Sequence, residues 1–125
     1  MTDVSRAILS CIIALFCCLL PVFSITGEHP VLIISSYNPD AGRTSGNISD
    51  FMEEFQRLGG TNTIALENMN CKSFSESPLW ERRMVELLSK YQGDNSPALT
   101  VLIGQEAWAA YLSLPDSIRG NTPVV

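Results

Sequence analysis

Histidine is nearly absent from this sequence, since His29 is the single one in 125 residues. A Ser-His-Asp triad or a cluster of histidine metal ligands cannot be assembled within one such chain. The motifs G-x-S-x-G, G-x-x-x-x-G-K-[ST], G-x-G-x-x-G and H-E-x-x-H are also missing, and these are typical of hydrolases, nucleotide-binding proteins and metalloproteases. We therefore predict no catalytic residue, no metal site and no cofactor, and we expect that this chain is not an enzyme.

Cysteine and basic residues are scarce in the part that we expect to fold. Three of the four cysteines lie in an apolar N-terminal segment, which leaves Cys71 as the only thiol after it and excludes an internal disulfide there. Eight lysines and arginines stand against thirteen acidic residues, and the formal net charge is −5. Because phosphate recognition needs clustered cations, nucleic acid is not an expected partner.

The apolar segment at the N-terminus has the layout of a secretory signal. Residues 7–20 read AILSCIIALFCCLL, with an arginine before them and a proline after them. Cleavage after Ser24 fits this pattern, but counting the apolar run through Ile25 leaves an uncleaved membrane anchor open. We assign 1–24 to a signal peptide or membrane anchor and 25–30 to a linker. The expected location is periplasmic, either free or anchored in the inner membrane.

Apolar runs and amphipathic stretches alternate along the rest of the chain. Short runs rich in β-branched residues predict buried strands at 31–34, 63–66 and 98–104, and the last five residues resemble the start of a fourth strand. Apolar residues at helical spacing predict three helices, at 48–58, 80–91 and 105–112. Ser45 or Asn47 is a candidate cap of the first helix, and Ser77 followed by proline is a candidate cap of the second.

This β-α-β-α-β-α order, with a fourth strand beginning at the end, predicts an α/β fold with a doubly wound, mostly parallel sheet. We expect residues 31–125 to be an incomplete α/β ligand-binding lobe. Three strands and the start of a fourth would leave apolar faces uncovered. A C-terminal lobe that follows this chain, or a partner chain, is therefore expected to cover them.

Polar side chains follow each predicted strand, at the edge where parallel sheets bind ligands. The loop after the first strand offers hydroxyls, an amide, an aromatic ring and a cation for a small polar or anionic ligand, although turns commonly contain such residues. The loop after the second strand has equally plausible hinge or capping roles. The start of the third helix suits anion capture by backbone N–H groups, while an acidic residue there also compensates the helix dipole. These three groups are Ser35, Ser36, Tyr37, Asn38 and Arg43; Glu67, Asn68 and Asn70; and Gly104, Gln105 and Glu106.

Three stretches together resemble a known family. They are VLIISSYNPDAGRTSGNISDFMEEFQRLGG, ENMNCKSFSESPLWERRM and PALTVLIGQEAWAAYL. Their order and spacing are similar to the extracytoplasmic sensor region of Bacteroides-type two-component sensor histidine kinases. That region is itself similar to the periplasmic solute-binding proteins of ABC transporters. The resemblance extends over nearly all of residues 30–125, although no single motif in it is diagnostic.

The resemblance implies the N-terminal part of a two-lobed ligand-binding domain that senses a small molecule. It implies no phosphoacceptor histidine and no nucleotide site, because no residue of this chain corresponds to them. Five strand-end positions are carried over as candidate ligand contacts: Ser36, Tyr37, Asn38, Glu67 and Gln105. A transport-associated solute-binding module is the main alternative. A small secreted hydrolase or flavodoxin-like enzyme is a more remote one.

Overall fold

The computed structural model describes residues 29–40 and 42–125. The predicted signal or anchor at 1–24 and most of the predicted linker at 25–30 lie outside these residues. Among the residues that are described, no helix combines the length and the apolar character needed to cross a membrane.

Strands and helices alternate in the order expected from the sequence, which confirms the α/β class. The strands are β1 (Val31–Ser35), β2 (Ile64–Asn68) and β3 (Leu99–Ile103). The helices are α1 (Gly42–Arg57), α2 (Ser77–Ser89), α3 (Gln105–Ser113) and the short α4 (Asp116–Arg119). Two 3₁₀ turns, Phe74–Glu76 and Gly93–Asn95, precede α2 and β3.

The three strands form one parallel sheet in the order β2-β1-β3. Val31 lies level with Ile64 of β2 and Leu99 of β3, so the strands begin together and their carboxyl ends meet at one edge. Val124 pairs with Thr100 in a parallel bridge on the open side of β3. The strand expected to start in the last five residues is therefore present as this single bridge.

Helices cover both faces of the sheet. The chain crosses from β1 to β2 in one direction and from β2 over β1 to β3 in the other, and right-handed crossovers then place the connecting helices on opposite faces. Residues of α1 pack with Val31, Ile33 and Val101 on one face. Residues of α2 and α3 pack with Leu32 and Ile34 on the other.

Strand β1 is buried on both faces because it lies between two strands and two helix layers. Leu32, Ile33 and Ile34 have no exposed surface, as the continuous apolar run predicted. Burial of each such side chain contributes about 1.5–3 kcal/mol. The larger core, on the α2 and α3 side, contains Met84, which is also fully buried.

Both predicted helix caps are wrong. Helix α1 begins at Gly42, so Ser45 and Asn47 lie inside it. Its first turns are exposed and carry no apolar stripe, which is why periodicity placed the start too late. Ser77 is the first residue of α2 rather than its cap, because the preceding 3₁₀ turn already binds the Ser77 N–H to the Phe74 carbonyl.

Strand β2 differs from its prediction in length. It continues through Glu67 and Asn68, which were assigned to a loop, because their backbones pair with Ile34 and Ser35 of β1. Polar side chains are tolerated there because β2 is the edge strand and is only partly buried. Helix α4 was not predicted, since four residues are too short for an amphipathic pattern.

Replacing Met84 with alanine should lower the free energy of unfolding by about 3 kcal/mol, because the cavity left in a fully buried site adds to the lost transfer energy. The matched change Met52→Ala, at a side chain of α1 that is 37% exposed, should cost less than about 1 kcal/mol. Urea unfolding of the two variants checks this. Equal losses would mean that the α2 and α3 side is not the main core.

Candidate functional site

The carboxyl ends of β1 and β3 form the candidate site. After β1 the chain turns to α1 on one face of the sheet, and after β3 it turns to α3 on the opposite face. The two connections diverge, and in open parallel sheets this divergence is the place where a ligand crevice forms between the strand ends. Ser36 follows β1, Gly104 follows β3, and the Ser36 N–H donates to the Ile103 carbonyl at 2.8 Å.

Ser36 joins the two sides of this crevice. Its side chain is fully buried, and its Oγ accepts a hydrogen bond of 2.9 Å from the N–H of Ala107 in the first turn of α3. The hydroxyl thus caps a helix that is distant in sequence, as a local N-cap serine does. Together with the larger effect of Tyr37, the Ser36 hydroxyl lowers the pKa of the Glu106 carboxylate.

Gly104 allows this close approach. A Cβ at this position would lie 2.3 Å from Ser36 Oγ, and the φ angle of 104° is one that L side chains rarely adopt. Other residues are therefore excluded at this position, because a side chain would clash with Ser36 and because the backbone has a positive φ angle. The glycine that follows β3 is therefore needed to seat α3 against β1.

Tyr37 and Glu106 bridge the mouth of the crevice. The Tyr37 hydroxyl donates to Glu106 Oε1 at 2.5 Å, and the ring is 42% exposed. This bond lowers the pKa of Glu106 and raises the pKa of Tyr37, so both groups keep their ordinary charge at neutral pH. The Glu106 carboxylate also accepts from its own backbone N–H at the start of α3. The anion position at this helix N-terminus is thus held by the protein's own carboxylate.

Gln105 and Asn38 do not join this network. Gln105 lies at the same edge but is exposed, and its side chain forms no hydrogen bond with the part of the chain that is described. Asn38 is exposed as well, and its Oδ1 accepts from the Asp40 N–H at 2.9 Å in a local turn. Of the five predicted contacts, Ser36 and Tyr37 lie together. Glu106, which was considered with Gln105 but is not one of the five, takes the place expected for Gln105.

Glu67 lies away from the crevice. Its side chain extends to the α2 face, where Tyr91 donates to Oε1 at 2.8 Å and Lys90 Nζ lies 3.2 Å from both carboxylate oxygens. Burial, together with this bond, raises the pKa of Tyr91 to about 12. Glu67 therefore links the edge strand β2 to the residues that directly follow α2.

The loop after β2 contributes residues that the sequence analysis did not select. Cys71 is buried, its thiol pKa is raised by that burial, and its N–H donates to the Ser36 carbonyl at 2.9 Å. Arg83 of α2 forms a 3.0 Å ion pair with Glu76 and donates to the Met69 carbonyl. No spacing rule links these positions, since they meet only when α2 packs beside the sheet.

This arrangement suits binding. The half-exposed Glu106 carboxylate and the exposed Tyr37 phenol lie beside the buried Ser36, and both oxygens can accept hydrogen bonds from a ligand. Within the described ranges 29–40 and 42–125, no group of three His, Cys, Asp or Glu side chains is placed to hold a metal ion.

Substituting alanine for Gly104 should cost about 2 kcal/mol of stability, since both the clash with Ser36 and the positive φ must be relieved. Gly59 is the matched control, because it also has a positive φ, of 83°, but open space around a Cβ. Gly59→Ala should cost about 1 kcal/mol. Denaturant midpoints separate the two, and a smaller effect at Gly104 would contradict the close contact between Gly104 and Ser36.

Tyr91→Phe should lower stability by about 1.5 kcal/mol at pH 7, because a partly buried bond to a carboxylate is lost. The folded-state pKa of about 12 exceeds the unfolded value of about 10. The contribution is therefore complete below pH 10 and disappears as the pH rises through 12. Unfolding both proteins in urea from pH 7 to 12 measures this difference, and a difference that is constant with pH would argue against the Glu67 bond.

Comparison with known proteins leaves the site to be interpreted from its own geometry. No family model matches the chain, and neither a curated protein nor a solved structure matches it. The carboxyl ends of β1 and β3 and the chemistry of Ser36, Tyr37 and Glu106 therefore provide the indications of function.

Proposed function

We propose that this chain is the extracytoplasmic ligand-sensing part of a two-component sensor histidine kinase. In this proposal it binds a small polar molecule in the crevice between the carboxyl ends of β1 and β3. The chain itself performs no catalysis, and signalling requires the parts of a full-length sensor kinase. Its expected location is the periplasm, with membrane attachment if the N-terminal segment is not cleaved.

The observation that carries the proposal is the Tyr37–Glu106 bridge over the strand ends. Open parallel sheets bind ligands where neighbouring connections diverge to opposite faces, and the bridge lies at that place. Its two polar groups, one from the loop after β1 and one from the first turn of α3, are 69 residues apart in the sequence, yet they meet at 2.5 Å with the tyrosine partly exposed. Ser36 and Gly104 hold the base of the crevice rigid, which favours a preformed binding site.

The charge of the crevice favours a ligand with hydroxyl or ammonium donors. An anion would meet the ionised Glu106 carboxylate, which already occupies the start of α3. A donor group can instead replace the Tyr37 hydroxyl on that carboxylate or bind beside it. Polyols, sugars and amines are thus the preferred class, and organic acids are disfavoured.

Sensing in this proposal follows from a change in population. A two-lobed domain closes on a ligand that contacts both lobes, because the closed form gains interactions that the open form lacks. Tyr37 and Glu106 lie at the edge of the sheet that a second lobe would face. A ligand held by them would stabilise the closed form.

A solute-binding module of an ABC transporter is the alternative, and the same crevice geometry supports it. Both classes bind a small molecule between two lobes, so the site does not separate them. The genomic sequence beyond codon 125 would distinguish the two classes. A second lobe followed by an apolar segment of about 20 residues and a kinase region would support the sensor, whereas an end after the second lobe would support transport.

Tyr37→Phe should weaken ligand binding about tenfold without unfolding the protein, because it removes one hydroxyl at a partly exposed position. The matched control Tyr91→Phe removes a hydroxyl on the α2 face and should leave affinity unchanged. The full chain is screened by thermal shift against sugars, polyols, amines and organic acids, and each hit is measured by calorimetry in the three proteins. A third variant, Glu106→Gln, should also weaken binding.

Hits confined to organic acids would contradict the ligand class. Hits whose affinity is the same in wild type, Tyr37→Phe and Glu106→Gln would place binding elsewhere and contradict the proposed site. A screen in which no compound of any of these classes stabilises the full chain would contradict sensing of such ligands by this chain.

A further inference from the structure

A second concave site lies at the opposite end of the sheet. A cavity of about 550 Å³ opens between the end of α2, the start of β3 and the segment from α4 to the Val124 bridge. Its volume falls within the range of small-molecule sites, roughly 300–1,000 Å³. It lies at the amino ends of the strands, so it is separate from the crevice at Tyr37 and Glu106.

The walls of this cavity combine aromatic rings with unengaged polar groups. Tyr91, Tyr111 and Ile118 supply apolar surface. Thr100 lines the cavity, and its side-chain hydroxyl forms no hydrogen bond within the part of the chain that is described, although its residue is only 2% exposed. Ser117 lines the cavity and is likewise unengaged within the described residues. A few convergent polar groups among apolar walls are characteristic of ligand sites.

Arg119 gives the cavity its charge. It is the one charged side chain among the described residues that line the cavity, and its guanidinium lies 5.9 Å from the centroid of the Tyr111 ring. Its Nε is buried without a hydrogen-bond partner among the described residues. One of its terminal nitrogens pairs with Asp116, whose side chain is 93% exposed. A cation whose donors are only partly used is an anion-binding group.

The pair with Asp116 leaves Arg119 available to a ligand. Ion pairs with such an exposed partner are weak, since water screens them and the side chains lose freedom. An anionic group inside the cavity would meet the guanidinium where less water competes. No acidic side chain lies among the described lining residues to repel it.

We propose that this cavity binds a small organic anion, with a carboxylate or phosphate paired to Arg119 and a compact apolar or aromatic body packed against Tyr111 and Ile118. The proposal stands apart from the function of the crevice. When the cavity is empty, the Asp116 carboxylate pairs with Arg119. The ligand anion displaces that carboxylate from the guanidinium. Thr100 and Ser117 supply further hydrogen bonds to the anionic group.

Titrations monitored by NMR on the full chain test this with three probes of one shape: benzoate, phenyl phosphate and the uncharged benzamide. Benzoate or phenyl phosphate should shift the backbone amides of Thr100, Gly93 and residues 117–122. The tighter of the two identifies the head group, and benzamide should bind at least tenfold more weakly.

Three variants assign the binding to Arg119. Arg119→Gln should lose most of the affinity. Asp116→Asn, at a fully solvated carboxylate, should raise affinity severalfold because it frees the guanidinium, and this variant has no reason to unfold. Arg82→Gln is the matched control, since Arg82 is an exposed arginine that pairs with the exposed Glu86 of the same helix. It should leave affinity unchanged.

The proposal is overturned if neither anion shifts the cavity amides, or if benzamide binds as tightly as benzoate. It is also overturned if Arg119→Gln and Arg82→Gln have equal effects, or if Asp116→Asn fails to raise affinity. Shifts confined to residues 36–38 and 104–107 would place the anions at the other edge and equally refute it.

Discussion

The burial of β1 on both faces is the constraint on which the rest of the structure depends. A strand made of Val31 through Ile34 exposes no polar side chain, so it is stable only with a strand on each side and a helix layer on each face. That requirement places β2 and β3 at its sides. It also sends α1 to one face and α2 with α3 to the other, and the divergence of the connections at the carboxyl edge follows from it.

The two ends of the sheet differ in charge, and the difference has a structural origin. At the carboxyl edge, the partial positive charge at the start of α3 is matched by Glu106, which leaves a carboxylate and a phenol facing outward. At the amino edge, Arg119 sits over Tyr111 with a solvated partner. One end therefore presents acceptors and the other presents a cation, so the two sites are suited to opposite ligand chemistries.

Glu67 and Glu106 show how context separates similar residues. Both lie near the carboxyl end of a strand, and both accept a hydrogen bond from a tyrosine, at 2.8 Å and 2.5 Å. Glu67 does so on a helix-covered face with Lys90 beside it, which makes the contact a structural tie. Glu106 does so at a mouth open to solvent. Position on the sheet, rather than residue type, decides which carboxylate is available to a ligand.

The sequence by itself determined the α/β class, the three strands, the three main helices and the edge at which polar residues gather, because periodicity and apolar runs are local signals. It also predicted Ser36 and Tyr37 as candidate ligand contacts, because both lie in the loop directly after the first predicted strand. Tertiary structure alone decided that Glu106 rather than Gln105 faces β1, since that depends on how α3 is rotated when Ser36 caps it. It also decided that Glu67 faces α2, and that Arg119 meets Tyr111 and the cavity, because those contacts join residues whose spacing carries no pattern.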